Sequence, residues 1–84
     1  MTESIAEVRA ALAVVSESLG SADHYARVAR GLLDEAVATL RGLDAESAES
    51  LVPPQLHRAS EELDQGLAAI DGGRDAVAGL DARL

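Results

Sequence analysis

From Ile5 to Leu43, apolar residues recur at alternating steps of three and four: Ile5, Val8, Leu12, Val15, Leu19, Ala22, Ala26, Ala29, Leu33, Ala36, Leu40 and Leu43. A period of 3.5 sustained over that distance is the pattern of a helix that lays one stripe against another helix. It constrains the fold more than any other feature of the chain. The same step returns from Leu56 onward, through Ala59, Leu63, Gly66, Ile70, Gly73, Val77, Leu80 and Leu84, with no charged residue in the register. Between them, Asp44 to Pro54 holds three acids and two prolines. Pro53 disfavours helical geometry at Val52, and Pro54 suits the first turn of a new helix. The expected fold is all-α: helix 2–43, connector 44–53, helix 54–84, closed as an antiparallel two-helix, coiled-coil-like hairpin in a single domain.

Local signals set the ends. Thr2 is placed to cap the first helix, and Glu3 and Glu7 suit the positive pole of its dipole, as Arg41 suits the negative pole. Gly20-Ser21 is a candidate break, but the heptad phase passes through it without a slip, which favours one continuous helix. The second helix carries Gly66, Gly72, Gly73 and Gly79. Together they weaken an isolated helix by roughly 4 kcal/mol, so tertiary packing must hold it or it breaks near Gly72-Gly73. Leu51 and Val52 are expected to fold back over the end of the hairpin.

Setting Leu43 opposite Leu56 aligns Ala36 with Leu63, Leu33 with Gly66, Ala29 with Ile70, and Ala26 with Gly73. Large residues then face small ones, as interdigitated layers require. This register leaves Ile5, Val8 and Leu12 beyond the end of helix two, an overhang of about 15 Å. A further apolar strip, Ala11, Val14, Tyr25, Val28 and Leu32, flanks the seam. Two helices make a thin core, so a four-helix bundle, formed as a homodimer or with another helical protein, is the expected way to cover these residues. Ile5, Val8, Leu12, Val14, Tyr25, Val28 and Leu32 are therefore the candidate partner-binding residues.

Composition narrows the chemistry. The formal charge of −8 argues against nucleic acid as a partner. The chain has no Cys, which excludes disulfides and thiolate metal sites. No apolar run approaches a membrane span, and the acidic start argues against a cleaved signal peptide, so a cytoplasmic location is expected. His57 and Glu61 share a helix face, but one His and one carboxylate make a surface pair rather than a metal site. Asp34-Glu35 and Glu61-Glu62 fall on exposed positions, where their ionisation would not be split as acid–base catalysis requires. Ser60 lies near His57 without an orienting third group or an oxyanion site. Arg27 and Arg30 are placed to pair with Asp23 and Asp34 within the first helix. No enzyme, no cofactor and no small-molecule substrate are expected.

Every basic residue is Arg, and Ala is abundant, a bias of GC-rich, actinobacterial genomes. Two heptad-patterned helices in a small acidic chain of that composition resemble the helical-hairpin proteins of type VII secretion. That resemblance implies dimeric four-helix bundles and export without a cleaved signal peptide. The turn motif of that family, Trp-X-Gly, has no counterpart, since the chain has no Trp, and Ala29 stands four residues after Tyr25, its one Tyr. The resemblance therefore carries no site residue. The functional expectation is a non-enzymatic interaction module acting through self-association or a partner's helices. The alternatives are an exported type VII substrate or chaperone-like partner, and an acidic adaptor or inhibitor of a basic protein.

Overall fold

The computed structural model describes residues 4–44 and 50–84. Ser4 opens the first helix: its Oγ accepts a hydrogen bond from the Glu7 N–H at 3.1 Å, while its carbonyl accepts from the Val8 N–H. Ser4 therefore satisfies donors that would otherwise be orphaned at the helix start. Thr2, the expected cap, lies outside the described residues. Helix α1 runs from Ile5 to Asp44, 40 residues without interruption, so Gly20 does not break it. Helix α2 runs from Pro54 to Arg83, also without interruption, so Gly72-Gly73 does not break it either. Pro53 sits in extended geometry (φ −63°, ψ 142°) and Pro54 occupies the first turn, where a missing N–H costs nothing.

The two helices pack side by side as an antiparallel hairpin, a rod of 68 × 20 × 14 Å. The described residues are all-α, with no strand. No helix among them is long and apolar enough to cross a membrane. At the closed end, Asp44 holds the returning chain. One carboxylate oxygen accepts from the Leu51 N–H, the other from the Ser50 hydroxyl at 3.4 Å. This clamp turns Val52 inward to 9% exposure, while Leu51 stays exposed. Only one of the two residues expected to close the hairpin does so.

Burial along the helices corrects the expected seam. With Ser16 and Leu19 taken as heptad positions a and d, the half-buried residues of α1 are the d row Leu12, Leu19, Ala26, Leu33 and Leu40, the a row from Asp23 through Arg30 to Asp44, and Val8, Gly20 and Ala29. Val37, also in the a row, is the one buried residue of α1, at 9% exposure. In α2 the d row is Leu56, Leu63, Ile70 and Val77, joined by Ser60 and Leu67 from the a row. The d rows are those expected. The second row is only partly so: of the neighbouring g row, Val8, Ala29, Ala59 and Gly73 are half-buried, whereas Val15, Ala22, Ala36, Leu43, Gly66 and Leu80 are exposed. The seam is thus turned from the g row toward the a row on α1, where Val37 is buried, and draws on both rows in α2.

The alignment along the rod also differs. Nothing lies within 4 Å of a Cβ built on Gly66, so Leu33 does not fill that position. A Cβ on Gly73 would meet Leu19 Cδ1 at 3.6 Å, not Ala26. The physical reason lies in side-chain length. An Ala and Gly row offers little area to bury, whereas Asp23, Arg30, Val37 and Leu67 bring longer stems, and the charged ones find partners across the seam.

Candidate interaction surface

The two long edges of the hairpin differ in kind. In an antiparallel pair the e positions of both helices flank one side of the seam and the g positions flank the other. The e side carries charge. Arg27 reaches Asp71 at 4.0 Å, and Arg30 reaches Asp64 at 3.3 Å. Within α1, Arg27 also holds Asp23 at 3.0 Å, and Arg30 lies 3.7 Å from Asp34, the two intrahelical pairs the spacing suggests. In the seam itself, Asp23 meets Arg74 at 3.8 Å.

Asp23 is the centre of this network. Its side chain is only 14% exposed, its Oδ2 faces both Arg27 and Arg74, and its Oδ1 is buried without a hydrogen-bond partner. The Arg27 guanidinium hydrogen-bonded to it, helped by the charges of Arg27 and Arg74, holds its carboxyl below the usual carboxylate range despite the opposing effect of burial. The same contact raises the Arg27 guanidinium still further from neutrality.

The g side is the opposite. Val15, Ala22, Ala36 and Leu43 of α1 line it, together with the adjoining c row Ala11, Ser18, Tyr25, Leu32 and Thr39, all exposed. Tyr25 is 72% exposed and Leu32 61%. The Thr39 hydroxyl donates to the Glu35 carbonyl at 2.9 Å, so its methyl group is what this side offers. On α2 the same edge is lined by Gly66, Ala69, Gly73, Ala76 and Leu80. No charged residue falls on the c or g row of α1, and only Glu62 and Arg83 do so on α2.

The candidate residues divide accordingly. Tyr25 and Leu32 stand on this edge. Val14 and Val28 lie further round, on the f row facing away from α2, and are exposed. Ile5 is exposed, but Val8 and Leu12 are half-buried, because α2 extends further along α1 than expected. Arg9 pairs with Asp81 at 3.8 Å, and Leu12 shares a groove with Val77 and Asp81. The overhang is reduced to about the first turn. Pattern reading missed Val15, Ala22, Ala36, Leu43, Gly66 and Leu80 as surface because it assigned them to the seam. The signal against that assignment is Asp23 on the a row of α1 and Arg74 on the a row of α2, which carry opposite charges.

His24 and Tyr25 meet edge to face, with ring centroids 5.6 Å apart. Among the described residues no three His, Asp or Glu side chains converge to hold a metal. Comparison with protein-family models, with curated proteins and with solved structures finds no match.

Proposed function

We propose that the chain is a non-enzymatic helical-hairpin module that works by packing its uncharged edge on other helices, either its own copy's or a partner's. The observation that carries this reading is the contrast between the two edges. One edge spends its charges on internal pairs, while the other leaves a bulky aromatic, Tyr25, and Leu32 in water beside alanines and glycines. A contiguous exposed apolar strip is the kind of surface that marks an interaction site. The internal core is correspondingly slight: Val37 and Val52 are its buried apolar residues. Helical hairpins of this length gain most of their stability from the additional layer a bundle supplies. The acidic-adaptor alternative is weakened by the same geometry, because Asp64 and Asp71 already face Arg30 and Arg27.

Sedimentation equilibrium tests the reading. A mass above the 8.7 kDa of one chain, falling when Leu32 is replaced by Glu while far-ultraviolet helicity persists, is the expected result. A single-chain mass at all concentrations, with no helical partner recovered, would overturn it.

A further inference from the structure

We infer that the occupant of the uncharged edge is a second copy of the chain, related by a two-fold axis parallel to the helices. In this arrangement α1 of each copy lies over α2 of the other, and both connectors lie at the same end of a four-helix bundle. The inference rests on the interaction-module reading and adds the identity and pose of the partner.

Three observations carry it. The first is area. The chain exposes 6173 Å², whereas a folded globular chain of this mass exposes about 4,700 Å². The surplus, on the order of 1,400 Å² per chain, places a pair of hairpins within the roughly 2,000–5,000 Å² that obligate homodimers bury in total.

The second is shape. The α1 half of the edge is a ridge, with Val15, Tyr25, Leu32 and Leu43 standing out from small neighbours. The α2 half is a furrow over Gly66, Ala69, Gly73 and Ala76. Nothing of this chain fills the space over Gly66, and only Leu19 approaches Gly73. A two-fold axis along the rod sets each ridge on the other copy's furrow. Because the axis preserves height along the rod, and Gly73 stands at the height of Leu19 and Asp64 near that of Arg30, Tyr25 comes over the hollow between Gly66 and Ala69, and Leu32 comes between Ala59 and Glu62. A two-fold axis across the rod would instead stack ridge on ridge and furrow on furrow, leaving voids along α2. Only the first pose satisfies close packing on both halves at once.

The third is charge. Two chains of net charge −8 repel. The pose turns the charged e sides of both copies outward and away from each other, and brings together the c and g rows, whose charged residues are Glu62 and Arg83. It also makes every neighbouring helix pair antiparallel, so the helix dipoles oppose.

The chain has no Cys, so Ser50→Cys carries a single nitroxide next to the connector. In the proposed dimer the two labels lie within about 30 Å of each other, as measured by double electron–electron resonance. Ridge-on-ridge packing would put the connectors at opposite ends, about 60 Å apart over a 40-residue helix. A short distance together with a two-chain mass supports the pose. A two-chain mass with the long distance overturns the pose and leaves the interaction module standing. A single-chain mass at every concentration up to the millimolar range overturns the second-copy assignment. As an independent check, Gly66→Leu fills the furrow. It is expected to weaken association at least 10-fold while the single hairpin keeps its helicity, because that position is open within one chain. Unchanged association would overturn the pose.

Discussion

The e edge and the g edge of this hairpin flank the same seam and are built to opposite rules. On the e edge, Arg27 and Arg30 of α1 reach Asp71 and Asp64 of α2, so charge closes the gap between the helices. On the g edge there is no such bridge, and small side chains leave the backbone accessible over Gly66. The difference is what the proposed association rests on. Charge marks the side that is finished, and the absence of charge marks the side that still has apolar area to lose.

Substitutions can sharpen or break this contrast. The largest effect is expected on the uncharged edge. Tyr25→Glu combined with Leu32→Glu should reduce association by at least about 30-fold, corresponding to roughly 2 kcal/mol. Sedimentation equilibrium would read the loss as a return to the single-chain mass. If mass is unaffected, the contrast has no functional content.

A smaller effect is expected in the seam. Asp23→Asn should lower the melting temperature at pH 7, because Arg27 and Arg74 lose their common anion. The sign with pH follows from the direction of the shift. The Asp23 carboxyl is held below its unfolded value of about 3.9, so its contribution is fully present above that pH and is lost as pH falls through the lower, folded value. The gap between wild type and Asp23→Asn in thermal melts should therefore be wide at pH 7 and narrow as the pH falls through the lowered range of this carboxyl. A gap independent of pH would remove Asp23 from the ion network.

Gly72→Ala separates helix propensity from edge packing. Gly72 is exposed, on the f row, and nothing lies within 4 Å of an added Cβ. The change should stabilise the fold by about 0.5–1 kcal/mol without altering mass. Differential scanning calorimetry beside sedimentation would check both halves of that statement. The smallest effect is expected on the e edge. Asp71 is exposed, so Asp71→Ala should cost little at low salt and less still near 1 M salt, where screening reduces surface pairs to nearly nothing. A large loss that survives high salt would mean that the e edge is not a set of surface pairs.

How much of this was readable from the residues alone depends on the row. The d row, Leu12 through Leu40 and Leu56 through Val77, is apolar on both helices and flanked by polar residues often enough to be found by period alone. It was, and with it the hairpin. The choice between its two neighbouring rows was not settled by hydrophobicity. Ala22, Ala29 and Ala36 look more like a core than Asp23 and Arg30 do, yet a methyl group contributes little area, and a long polar stem with a partner contributes more. Only the pairing of Asp23 with Arg74 decides it, and that pairing depends on how the helices align, which no single helix encodes. The extent of the exposed edge is underread for the same reason. Tyr25 and Leu32 were found as surplus to the seam, whereas Val15 and Leu43 were spent on it.

The Asp23–Arg74 contact has one more consequence. The d rows of both helices are nearly interchangeable from one heptad to the next, so greasy contacts alone would tolerate sliding by seven residues. Such a slide would carry Asp23 from Arg74 to Leu67 in one direction and to Asp81 in the other, stranding an anion on hydrocarbon or setting it against its own kind. A lone carboxylate with one oxygen already unsatisfied thus acts as a detent on an otherwise smooth rail, and fixes which heights along the rod the exposed ridge and furrow can offer.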